Sequence, residues 1–134
     1  MRRISRALAI PMFLAVGLGC AAQTVSQDLT VYLEPESLLD LMQDLPESVF
    51  LVDVRTPAEY EAGHIPGAIN VDHTAIAGNL PTDDREATII VYCRSGNRSS
   101  QAAHVLQELG FTRVLDWGGI TNWPYDLVVG SEPQ

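Results

Sequence analysis

The chain has 134 residues, enough for one domain with a hydrophobic core and too few for two. Its hydrophobic share of 46% is that of an ordinary globular domain, with no repeat or low-complexity run. All eight basic residues are arginine, against 17 acidic ones, so the surface repels nucleic acid and anionic lipid, and the absence of lysine excludes Schiff-base chemistry.

In chain order, residues 1–22 stand apart from the rest. Arg2, Arg3 and Arg6 give a positive start, Ala7 to Leu18 is almost wholly apolar, and the small residues Gly19-Cys20-Ala21-Ala22 follow. That order is the pattern of a secretory signal, and the apolar run is short of the about 20 residues of a membrane span. Two processing routes fit. Cleavage after Ala22 leaves a soluble periplasmic domain of residues 23–134. Alternatively, Gly19-Cys20 resembles a lipobox, in which Cys20 carries a lipid anchor. Loss of the signal leaves five arginines against 17 acidic residues.

Val31-Tyr32-Leu33 reads as a short strand. Pro35 and Glu36 open a helix in which Leu38, Leu41, Met42 and Leu45 recur at helical spacing, and Pro46 ends it. Val49 to Val54 is an apolar run broken only by Asp53, the pattern of a strand covered on both faces. Thr56-Pro57 starts a short helix, Ala58 to Ala62, that Gly63 stops. His64-Ile65-Pro66-Gly67 is a turn, Ala68 to Val71 a short strand, and Thr74 to Leu80 a weakly helical stretch. Thr88 to Tyr92 is the strongest strand. A helix beginning near Ser99 shows one apolar face through Ala102, Val105, Leu106 and Leu109, and Gly110 closes it. Val114-Leu115 is the last strand, Gly118-Gly119 a turn, and Ile120 to Trp123 a single helical turn. Strands alternating with helices imply an α/β fold, a mostly parallel sheet with helices on both faces.

In such sheets ligands sit beyond the carboxyl ends of the strands, where Cys93 stands in "YCRSGNRSS". Thiolate rather than thiol is the nucleophile. Arg94 and Arg98 supply positive charge, a helix N-terminus points at the loop, and Gly96 lets successive N–H groups converge on one point. With Cys20 removed Cys93 has no disulfide partner, so it is a candidate reactive thiol in an anion cradle. The three histidines, His64, His73 and His104, have no ligand-like spacing, and no metal site is expected. His64 reads as a turn-stabilising imidazole, His73 as a helix cap and His104 as a surface residue. Trp117 and Gly118-Gly119 are candidates for a pocket wall.

Three stretches carry a family resemblance: "LVDVRTPAEYEAGHIPGAINV" (51–71), "VYCRSGNRSSQAAHVLQELGF" (91–111) and "VLDWGGITNW" (114–123). Together they resemble the single-domain rhodaneses, sulfurtransferases, over roughly Leu29 to Asp126. The resemblance implies that Cys93 is the nucleophile and persulfide carrier. It implies that Arg94 and Arg98 bind the oxyanion of a small anionic sulfur donor, with the backbone N–H groups of Arg94, Ser95, Gly96, Asn97, Arg98 and Ser99 stabilising the persulfide. The acceptor would be cyanide or a thiol, no metal or organic cofactor is needed, and monomer and dimer are both open. Asp53 and Arg55 match the family's Asp-Val-Arg and read as supporting groups, with Glu59 or the turn after His64 as candidate partners. Two rivals share the fold. Cys-based phosphatases and arsenate reductases use a C-x5-R loop, one residue longer than the C-x4-R of Cys93 to Arg98. Non-catalytic binding modules generally lack the cysteine.

Overall fold

The apolar runs at 49–53 and 88–93 form the two central strands of the sheet. The computed structural model describes residues 28–134; the expected signal and Cys20 lie outside them. Four strands, β1 (Val49–Asp53), β2 (Ile69–Asn70), β3 (Thr88–Cys93) and β4 (Arg113–Gly119), form one parallel sheet in the order β2-β1-β3-β4. β1 and β3 pair in register from Val49 with Thr88 to Asp53 with Tyr92.

Because strand side chains alternate, each central strand feeds two cores. Leu51, Ile90, Tyr92, Leu115 and Trp117 face α1 (Pro35–Gln43) and α2 (Pro57–Ala62), where Leu38 and Tyr60 close the layer. Val52, Ile89, Val91 and Cys93 face α3 (Asn97–Glu108), whose Ala102, Ala103 and Leu106 pack against them. All six β3 residues are buried, and each large aliphatic among them contributes about 1.5–3 kcal/mol. Helices thus cover both faces, as the alternation of elements implied.

The ends of the short helices follow from side-chain chemistry. Thr56 and Glu59 form a reciprocal capping box at the start of α2, with Pro57 at the first position. Three sequence expectations give way. Residues Leu29–Leu33 form a 3-10 helix rather than a strand, because the Asp28 carboxylate accepts from Thr30 N at 3.0 Å and bends the chain. Thr74 to Leu80 is a run of turns, begun by the same local bond from Thr74 N to Asp72 Oδ1 at 2.9 Å. That bond leaves the capping expected of His73 to Asp72. Gly118-Gly119 ends β4 instead of turning out of it, after a register shift opposite Val91/Tyr92.

Residues 128–133 return along α2 and its following turn. His64 and Val128 exchange backbone bonds at 2.9 Å, Gly130 N donates to Glu61 O at 2.9 Å, and Gly67 N donates to Pro133 O. The fully buried His64 ring stacks on Tyr60 at 3.7 Å, with Nδ1 2.9 Å from Tyr60 O and Nε2 2.9 Å from Glu132 O. His64 is therefore a tether for this segment, in line with the turn-stabilising role expected of it. His104 lies on the exposed side of α3, 3.1 Å from Glu108.

Candidate active site

β3 delivers Cys93 to the carboxyl end of the sheet, and the chain then curls back through Arg94, Ser95 and Gly96 into α3. Gly96 takes φ +103°, a left-handed conformation open to glycine at little cost. This directs Gly96 N–H at Cys93 Sγ, 2.9 Å away. α3 begins at Asn97, two residues earlier than expected, so Asn97, Arg98 and Ser99 form its first turn. Ser99 is buried: the Cys93 thiol donates to its Oγ at 3.5 Å while its own O–H donates to Gly96 O at 3.0 Å, and once the thiol ionises that O–H is free to turn to the sulfur. Gly119 backs the loop. A Cβ there would stand 2.6 Å from Arg94 O and 3.0 Å from Ser95 Cα, so only glycine permits β4 and the loop to lie this close.

Burial on its own would raise the Cys93 pKa, but hydrogen bonds from the Ser99 hydroxyl and from the Ser99, Gly96 and Ser95 amides outweigh it and bring the thiol below its ordinary value. The main contributors are the loop amides that the sequence had pointed to, joined by one hydroxyl, and the guanidinium charge also expected there ranks below them. Ser99 Oγ was the group missed. A serine opening an apolar helix after a cysteine loop is a signal only once the loop length places it over the sulfur.

The two loop arginines differ. Arg94 is exposed, and among the described residues its side chain enters no ion pair. Arg98 is held by Glu59 through Nη1 to Oε2 at 2.7 Å and Nη2 to Oε1 at 2.9 Å. The Arg98 bonds, foremost, lower the Glu59 pKa to about 2 against the opposition of partial burial, with help from Thr56.

Asp53 and Arg55 sit elsewhere. Asp53 shares a strand face with Leu51, the face away from Cys93. Arg55 binds the Asp53 carboxylate through Nη2 at 2.6 Å and Nε at 3.0 Å, and also donates to Gly63 O at 2.7 Å. The pair ties β1 to the end of α2 and supports the fold behind the loop. Glu59 is not its partner; the turn before His64 is. Trp117 also leaves the pocket wall to the glycines: it packs edge-on to Tyr92 and Trp123, and its indole N–H donates to Tyr32 O at 2.8 Å.

A hollow of about 360 Å³ opens between α2, β2 and the returning 131–133 segment, lined by Pro57, Tyr60, Glu61, Ile69, Asn70, Ser131 and Pro133. It includes neither Cys93 nor any other residue of the loop.

The candidate site is thus a buried cysteine at the end of a strand of a parallel α/β domain, with loop amides around its sulfur. Comparison with known proteins narrows the class. Residues 34–125 match the family model described as Rhodanese-like domain, and the chain belongs to that family. It is 40% identical over 92 residues to a protein named Sulfurtransferase from Allochromatium vinosum, covering 68% of this chain and 85% of that one. It is 38% identical over 81 residues to Thiosulfate sulfurtransferase PspE of Escherichia coli, covering 59% and 78%. Among solved structures, a rhodanese with anions from E. coli superposes with TM-score 0.53 at 36% identity, covering 61% of this chain and 99% of that one.

Proposed function

We propose that this protein is a sulfurtransferase that carries sulfane sulfur on Cys93. One observation carries the reading: Cys93 Sγ lies in a ring of donors at a helix start, with Gly96 N at 2.9 Å and a lowered thiol pKa. Relatives named thiosulfate sulfurtransferase support it at 36–38% identity. In the first half-reaction the Cys93 thiolate attacks the outer sulfur of thiosulfate. The S–S bond breaks, sulfite leaves with the bonding electrons, and Cys93 holds a persulfide. The amides of Ser95 and Gly96 and the Ser99 hydroxyl stabilise its negative charge, as oxyanion donors do elsewhere. In the second half-reaction cyanide or a thiolate attacks the terminal sulfur, and the Cys93 thiolate departs as leaving group, restored for the next cycle.

Arg94 and the surrounding amides meet the donor's oxyanion. The short C-x4-R loop gives a ring of donors sized for a persulfide rather than a tetrahedral phosphate. Steady-state kinetics with thiosulfate and cyanide test the reading: ping-pong turnover supports it. Hydrolysis of para-nitrophenyl phosphate without sulfur transfer contradicts it. Among the described residues no helix is long and apolar enough to cross a membrane. The charge–apolar–small order of residues 1–22 supports export, and the mass of the secreted N-terminus separates cleavage after Ala22 from lipidation at Cys20.

A further inference from the structure

The loop carries two arginines in a strongly acidic protein, yet the structure spends them differently. Both terminal nitrogens of Arg98 are used on the Glu59 carboxylate. That carboxylate is itself fixed from α2, accepting from Thr56 N and Thr56 Oγ at 3.0 Å each. A bidentate pair of this kind has a set geometry and nearly no net charge at a distance. Arg94 is exposed, beside the nucleophile and outside any such pair among the described residues.

We propose that Glu59 is a specificity-determining residue: it withholds the Arg98 guanidinium from the substrate, so that Arg94 alone sets the cationic character of the cradle's mouth. The inference rests on the sulfur-transfer reading for its consequence. Thiosulfate and sulfite are both small, multiply charged oxyanions, so a stronger field would hold product as well as substrate. A covalent cycle needs the sulfite gone before the acceptor enters. Cancelling one of the two charges keeps the site selective for anions while letting the first product leave. Glu59 touches neither the sulfur nor the donor; it acts through Arg98 and is a positioning residue.

The test compares alkylation of Cys93 by iodoacetate and by iodoacetamide at one pH. The ratio of the two rates cancels the thiolate fraction and reports the potential felt by an incoming anion. One unit charge at this kind of range in a water-exposed setting changes such a ratio about two- to fourfold. Glu59→Gln, which keeps the capping box, raises the ratio by that factor. Arg98→Gln lowers it by a similar factor, because the Glu59 charge is uncovered. The double variant returns to the wild-type ratio, and Arg94→Gln lowers it. In steady-state kinetics, Glu59→Gln lowers the KM for thiosulfate and the inhibition constant of sulfite together. An unchanged ratio in Glu59→Gln overturns the proposal, as does a double variant that behaves like Arg98→Gln. Alkylation needs no sulfur transfer, so a wild-type protein that fails to turn over thiosulfate sinks the functional reading while the ratios still decide this one.

Discussion

Among the described residues, two arginine–carboxylate pairs have similar closest distances and different surroundings. Arg55 and Asp53 meet at 2.6 Å with side chains 8% and 0% exposed, while Arg98 and Glu59 meet at 2.7 Å with 24% and 31% exposed. The first is a fold element. Its charges are out of water, and its value lies in the carbonyl and backbone groups it satisfies between β1 and α2. The second joins α2 to the first turn of α3 in partial contact with water, where solvent screens most of its energy, and the specificity proposed for Glu59 concerns this pair. Burial, rather than bond length, decides whether such a pair governs stability or reactivity.

The largest effect expected from this contrast is at the buried pair. Asp53→Ala leaves Arg55 uncompensated in the interior and costs about 3–5 kcal/mol in urea denaturation. A loss below about 1 kcal/mol would erase the distinction between the two pairs.

Next comes the close approach that shapes the loop. Gly119→Ala forces Arg94 O away from a Cβ 2.6 Å distant, and the expected cost is about 1–3 kcal/mol with a drop in turnover. An active, equally stable variant would show that β4 and the loop do not need to touch.

Much of this arrangement could be read from the amino-acid string. The run Thr88–Cys93 is apolar without a break, and Thr56-Pro57 with Gly63 brackets a helix by caps alone, so both elements are set by local chemistry. Cys93, Gly96 and the helix after them stand within seven residues, and the cradle follows from that spacing. What stayed hidden depended on distant contacts or on local competition. Glu59 lies 39 residues from Arg98, and nothing in the spacing says that the guanidinium will be claimed before a substrate arrives. Leu29, Val31 and Leu33 alternate as a strand does, yet Asp28 offers a nearer acceptor and the chain coils. Gly118-Gly119 has the composition of a turn, yet it lies in the strand, with Gly119 where the Cys93 loop leaves no room for a side chain.

A smaller effect is expected at Ser99. Ser99→Ala removes the hydroxyl 3.5 Å from the sulfur, and the thiol pKa rises. The midpoint of Cys93 alkylation against pH therefore moves upward, while stability falls by about 0.5–1.5 kcal/mol. An unmoved midpoint would assign the thiolate's stability to the amides alone.

The smallest effect on stability belongs to the exposed pair. Glu59→Gln costs at most about 1 kcal/mol at neutral pH. The folded Glu59 pKa is depressed, from 4.5 to about 2. The pair's contribution is therefore present above the unfolded value and is lost as pH falls between these limits. Wild type and variant should converge in stability across that acid window. A gap that widens there would contradict the assignment of the lowered pKa to Arg98.

If the ring of amides makes Cys93 a carrier of sulfur, thiosulfate leaves its outer sulfur on that residue. Intact-mass spectrometry of the protein after exposure to thiosulfate tests it most directly. The expected result is an adduct of about 32 Da, one sulfur atom, located on Cys93, discharged by cyanide and absent from Cys93→Ser. An unmodified Cys93 in protein that nevertheless converts thiosulfate and cyanide to products, or the same adduct in Cys93→Ser, would contradict it.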